Sequence, residues 1–197
     1  MNDTPKPKRG RPPTLDAEKT LDVAMRAYWA SDPADVSINS ICTLAGVSKP
    51  ALYRVFGNED GLMRAVLDRY AETVLSDIFD ILSRGGPFAD TLAALVTFGA
   101  VDAKMETGCV FFKMRAGKHR LGPETRARVG EVDKAAVAAF AGYLAACRAA
   151  GTWTGAMPDA VAARYLVEQI GLALSQRAAG EDAEEVKATM ELALSAL

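Results

Sequence analysis

Apolar residues recur at three- and four-residue spacing from about residue 14 to the C-terminus, and no stretch alternates with period two. That periodicity gives helices one buried face, so the chain is expected to be all-α. A first helix is expected from about 14 to 30, with Leu21, Ala24, Met25 and Tyr28 on one stripe, until the turn-rich run SDPADVS breaks it. Ser37 opens a short helix to Ala45, Gly46 and Val47 make a tight turn, and Ser48 opens another from Lys49 to Phe56. Pro50 falls in that helix's first turn, where a missing N–H costs little. Asn58 caps a long fourth helix with Leu62, Val66, Tyr70, Val74, Ile78 and Ile81 in one stripe, ended by Gly85-Gly86-Pro87. Five more helices are expected over 88–103, 108–119, 123–150, 158–179 and 182–196, separated by Thr107-Gly108, Gly122-Pro123, Gly151, Pro158 and Gly180.

With 197 residues, half of them hydrophobic, the chain can bury a substantial core. No apolar run approaches the roughly 20 residues of a membrane span. The N-terminal MNDTPKPKRGRPP has no apolar stretch behind it that would make it a signal peptide. A cytoplasmic protein with no membrane partner is expected. Cys42, Cys109 and Cys147 are far apart and odd in number, and His119 stands alone. That disfavours a disulfide framework, a zinc site and a catalytic triad. A Gly-rich phosphate loop, paired catalytic carboxylates and a nucleophile elbow are also missing, so no enzyme, cofactor or metal is expected.

Charge distribution changes the picture more than the net charge of −2 does. Residues 1–13 carry Lys6, Lys8, Arg9 and Arg11 against one acid, Asp3, which leaves the rest of the chain more acidic than the whole. A basic arm on a mildly acidic body suits local phosphate contact without indiscriminate binding. Its KRGRPP run looks like an AT-hook, whose arginines enter a narrow A·T minor groove. The other reading is a solubilising tail.

Residues 38–57, INSICTLAGVSKPALYRVFG, satisfy the requirements of a helix-turn-helix. Cys42 is small where the second helix crosses the first, and Gly46 suits a turn with positive φ. Val47, Leu52 and Val55 are expected to seat the second helix against Ile38, Ile41 and Ala45. An ordinary helical hairpin is the alternative.

The longer stretch SINSICTLAGVSKPALYRVFGNEDGLMRAVLDRY resembles the DNA-binding signature of the TetR family of one-component regulators: AGVSK, then LY, then F, then an acidic helix start before an apolar run. The resemblance covers about residues 14–75, and the tail IGLALSQRAAGEDAEEVKATMELALSAL is similar to that family's terminal dimerisation helices. It implies a basic arm (1–13), a three-helix DNA-binding head (14–75) and an effector-binding and dimerisation body (76–197), joined by the long fourth helix. In this scheme residues 48–56 form the recognition helix, entering the major groove by its N-terminal end. Ser48, Lys49, Pro50, Ala51, Tyr53 and Arg54 are then its candidate DNA contacts. Arg54 suits a bidentate guanine contact, Lys49 base or phosphate, and Tyr53 a phosphate unless it merely packs. Ser37, Thr43 and Asn58 are further phosphate candidates. Two departures matter. Pro50-Ala51 stands where many members carry Gly-Thr, and Glu59 where many carry lysine, so binding is expected to lean more on the arm.

The implied function is a homodimeric repressor on palindromic double-stranded operator DNA, released by an unidentified small-molecule effector, or else an activator. Candidate dimer contacts are Gly171, Leu172, Leu174, Val186, Met190 and Leu194, with Ala173 and Ala178 allowing close helix approach. Candidate pocket residues are Phe98, Met105, Cys109, Phe112, Phe140, Tyr143, Trp153 and Tyr165, although an aromatic stripe equally suits core. TGCVFFKMR resembles a family segment in which some members carry a reactive cysteine. Cys109 either packs as a small buried thiol or acts as a redox or electrophile sensor. The run Lys113, Arg115, Lys118, Arg120, Arg126 and Arg128 reads as a solvated face, or as the attraction for an anionic effector.

Overall fold

The computed structural model describes residues 15–197, and every regular element among them is helical. Local capping explains the first four helices. Asp16 accepts from Lys19 N to start α1 (Ala17–Ala30), and Ser37 accepts from Ser40 N to start α2 (Ile38–Ala45). Gly46, at φ 66°, ends α2 in a left-handed turn that a side chain would strain. Ser48 then caps α3 (Lys49–Phe56), and Asn58 caps α4 (Glu59–Tyr70) through Gly61 N. Ala24 and Tyr28 of α1, Ile38 and Ile41 of α2, and Leu52 of α3 are buried with Leu62 and Val66 of α4. Val55 is the exception. It is 48% exposed, because α3 turns that side away from α2.

The fourth helix does not stop at Tyr70. It widens into a π turn over Ala71–Leu75 and continues as α5 (Ser76–Ser83). Its apolar stripe from Leu62 to Ile78 repeats every four residues, a longer period than the α-helical turn of about 3.6 residues, so the stripe drifts around a regular helix. A wider turn brings Val74 and Leu75 back to the buried side.

α6 (Phe88–Val96) likewise runs into a π turn at Thr97–Val101, so the expected helix stops short of residue 103. α7 (Val110–Ala116) is shorter than expected because Gly108, at φ 79°, and the extended Cys109 precede it. α8 (Pro123–Ala149) and α9 (Asp159–Ala178) form a long antiparallel pair, and α10 (Ala183–Leu194) closes over α9 and the end of α6.

This last packing corrects the expected dimer contacts. Leu174, Val186, Met190 and Leu194 are all buried inside the protomer, so their surface is already covered. Gly171 is also buried, and a Cβ there would lie 2.5 Å from the Phe112 ring. Ala173 faces Gly99 of the α6 extension. Of the six residues only Leu172, 49% exposed, keeps a free face; Val161 of α9 and Leu192 of α10 are also exposed.

The N-terminal helices are tied to the rest at three places. Trp29 Nε1 donates to Gly108 O (2.7 Å) while Lys113 Nζ donates to Trp29 O (2.5 Å). Arg120 pairs with Asp32 and Asp35. The third tie joins α4 to the start of α8. Gly122, the residue before α8, offers no capping side chain, and the Asp60 carboxylate of α4 takes that role, accepting from Glu124 N (2.8 Å), Thr125 N (3.1 Å) and Thr125 Oγ1 (2.6 Å). A Cβ on Gly122 would come within 2.2 Å of Asp60 Cγ, so only glycine admits this approach.

Partial burial pushes the Asp60 carboxyl up, but the Thr125 hydroxyl and the two amides outweigh it and hold the group below the ordinary carboxylate range. The stability it contributes is present above the unfolded value of about 4 and is lost as pH falls through the lower folded value. Asp60→Ala should therefore cost about 1–2 kcal/mol at pH 7, as loss of a helix cap does. In urea titrations the gap between variant and wild type should narrow towards pH 3; a gap independent of pH would show that the carboxylate charge is not what holds α8.

Candidate DNA-binding surface and ligand cavity

The α2–turn–α3 unit presents one polar face. Ser48, Lys49, Pro50 and Arg54 are exposed on α3, with Ala51 and Tyr53 half-buried behind them. Arg54 has no side-chain partner among the described residues, so its guanidinium is available to a base edge or a phosphate. Lys49 Nζ lies 5.4 Å from the centroid of the Tyr53 ring, which holds the cation over the phenol. The short polar side chains have structural duties. Ser37, Ser48 and Asn58 accept capping bonds, and Thr43 Oγ1 donates to Asn39 O. A serine hydroxyl that caps through its oxygen still has a proton to donate, and the Asn58 amide still has its NH2. Lys6, Lys8, Arg9 and Arg11 lie outside the described residues.

A cavity of about 200 Å³ opens beside the π turn of the α4–α5 rod. Ala71, Leu75, Ile78 and Phe79 of the rod form one wall, and Phe111 and Phe112 of α7 another. Val132, Ala135, Ala136, Ala139 and Phe140 of α8, with Val167 and Ile170 of α9, complete it. Arg128 is the one charged residue in its lining.

Only Phe112 and Phe140 of the eight pocket candidates line this cavity; the other six are elsewhere. Met105 is buried in core. Phe98 lies under a polar surface depression beside Asp77, Asp80 and Asp102. Trp153 packs on Phe88 and donates to Leu197 O, Tyr143 also stacks on Phe88, and Tyr165 donates to Ala193 O. These aromatics join separate elements of the protomer to each other, and none of them lines the cavity. The missed residues include three alanines of α8. Alanines that face phenylalanines leave a void, whereas in the sequence they read as close helix packing.

Cys109 is 2% exposed and lines a separate depression with Asp32, Lys113 and Ser175. Burial pushes its thiol up, and this outweighs the Tyr70 hydroxyl, the Phe111 and Phe112 amides and Lys113, all of which favour the thiolate.

The basic run is not a plain solvated face. Arg115 bridges Asp133 and Glu168, Arg120 holds Asp32 and Asp35, Arg128 holds Asp68 and Glu131, and Lys113 holds the Trp29 carbonyl. Lys118 and Arg126 remain exposed. No group of histidines, cysteines and carboxylates among the described residues could hold a metal ion, and no helix among them is long and apolar enough to cross a membrane.

Residues 21–66 match the family profile of bacterial regulatory proteins, tetR family. The HTH-type transcriptional repressor ComR of Escherichia coli (strain K12) is 40% identical over 67 residues, which cover 34% of this chain and 32% of ComR. An uncharacterized HTH-type transcriptional regulator of Mycobacterium tuberculosis is 38% identical over 55 residues, 28% of this chain and 27% of the relative. The matched segment thus spans a third or less of these curated relatives. The likeness of fold extends much further. The reduced form of E. coli NemR superposes with a TM-score of 0.75 at 16% identity, covering 88% of this chain and 94% of NemR. The regulator CifR, as a cysteine mutant complexed with 26bp double-strand operator DNA, superposes at 0.76 with 18% identity, covering 95% and 99%. Residues 21–66 thus form a helix-turn-helix segment of the tetR family type, and the all-helical fold that carries it is shared with these solved regulators.

Proposed function

We propose that this chain is a homodimeric transcriptional repressor that binds a palindromic operator and leaves it when a small molecule enters the largely apolar cavity beside the π turn. The observation that carries the reading is the α2–Gly46–α3 unit, which holds Lys49 and Arg54 outward on a helix of the length a major groove accepts. ComR, similar over this segment, is named a repressor, and the CifR structure of the same fold contains operator DNA.

In this reading residues 14–75 are the DNA-binding head and 76–197 the effector and dimerisation body, with residues 1–13 adding a basic arm in the minor groove or along phosphates. The partner is a second copy, meeting this one through the exposed side of α9 and α10, where Val161, Leu172 and Leu192 offer apolar surface. Two-fold symmetry then sets the heads one helical turn of DNA apart, about 34–36 Å, or a multiple of that. Ligand in the cavity favours a state with the wrong head spacing, and the operator favours the other.

A second reading is a thiol sensor acting through Cys109. Its support is the position of Cys109 at the N-terminus of α7, at the foot of a surface depression. Burial and the raised thiol favour the non-covalent trigger.

Three measurements test these readings. Arg54→Ala should cost about 1–3 kcal/mol of operator binding and relax preference at one base per half-site; unchanged selectivity in a randomised-site experiment would make Arg54 a phosphate or surface residue. The double variant Leu172→Glu, Leu192→Glu should sediment as monomer at micromolar concentration while wild type sediments as dimer. A double variant that stays dimeric would move the interface elsewhere. Peroxide should leave wild type on its own upstream DNA. Release of wild type but not of Cys109→Ser would establish the thiol sensor instead.

A further inference from the structure

The cavity is apolar on every side but one. Arg128 stands at that side, one helical turn before Val132 on α8. Its Nε is given to Asp68 of α4 and its Nη1 to Glu131 (3.0 Å), while Nη2 has no partner among the described residues. Asp68 also faces Arg64 at 3.7 Å. Asp68 can therefore lose Arg128 without becoming an unpaired charge.

Size and shape narrow the occupant. An apolar cavity of about 150 Å³ accepts benzene; one of about 200 Å³ takes one ring with a short substituent. Phe111 and Phe112 meet at 5.0 Å with their planes 60° apart, and with Phe140 they offer faces and edges that suit a further aromatic ring. The sign of the polar end follows from Arg128. A carboxylate enters apolar surroundings only when paired, and a guanidinium pairs with it in bidentate fashion. An ammonium group would meet a like charge. Glu131 opposes an anion only weakly, since its side chain is 65% exposed and screened by water.

We infer, building on the reading of this cavity as the effector site, that its ligand is a monocyclic aromatic carboxylic acid whose ring lies among the phenylalanines and whose carboxylate takes Arg128 from Asp68. The exchange has a mechanical result. Arg128–Asp68, Arg64–Glu124 and the Asp60 cap are polar ties between α4 and the first turns of α8, and the acid removes the first of them. Its binding free energy is thereby directed at the helix that carries the head.

Calorimetry on the full chain decides the matter with 3-phenylpropanoate and its neutral counterpart 3-phenylpropan-1-ol. Wild type should bind the acid at least about tenfold more tightly than the alcohol, a difference of about 1.4 kcal/mol. Arg128→Gln should bind the two equally, and Asp68→Asn, which removes the competing carboxylate, should strengthen binding of the acid and not of the alcohol. Equal binding by wild type, a preference that survives Arg128→Gln, or no binding of either compound would overturn the inference. Ala136→Trp, which fills the cavity, separates this from the broader reading. Loss of both compounds, in a variant that melts as wild type does, places them in the cavity; retention of both would remove the cavity itself as the effector site.

Discussion

The carboxylate of Asp60 closes the N-terminus of α8, and the architecture turns on that contact. An α-helix of 27 residues begins with amides that its own chain leaves unsatisfied, because Gly122 contributes no side chain. The acceptor comes from the second residue of α4, directly after the α3–α4 turn. The helix that follows the DNA-facing unit is thus fastened at its first turn to the longest helix among the described residues, and α4 runs from that point to the π turn.

Two features distinguish this rod from a uniformly packed helix. The π turn at Ala71–Leu75 interrupts the regular bonding of the rod where it borders the cavity. Such turns store a conformational alternative, because a π turn and an α turn differ by the placement of a single residue. The ion pairs of Arg128 and Arg120 are surface-accessible and exchangeable, whereas the apolar contacts of Tyr28, Leu62 and Val66 are not. Rigid packing within the helix-turn-helix unit and exchangeable polar ties around it allow the unit to be displaced whole.

What the sequence disclosed and what it hid divide along a physical line. Ser37, Gly46, Ser48 and Asn58 were legible because caps and left-handed turns depend on residues within four positions of each other. The helical rods were legible because periodicity is local as well. Roles that depend on distant partners were misread. Gly171 looked like a point of close approach between subunits, yet its partner is Phe112, fifty-nine positions away in the same chain. Arg115, Arg120 and Arg128 looked solvated because Asp133, Asp35 and Asp68, which they hold, are distant in the chain. The cavity was missed for a related reason: a void is a relation among helices, and alanines alone do not show whether a neighbour fills the space. The DNA-facing residues sit between these cases, since their exposure was readable and the partner that gives exposure its meaning belongs to another molecule.

Trp29 has a consequence outside binding and stability. The chain contains two tryptophans. Trp153 is fixed at the far end, under Arg148 and bonded to the terminal Leu197 carbonyl. Trp29 bridges the first helix and the segment before α7, its indole N–H on Gly108 O and its ring edge-on to Tyr70 at the start of the π turn. An indole reports the polarity and hydrogen bonding of its surroundings through its emission. This protein therefore carries, at the joint between its two halves, an optical gauge of that joint's own state.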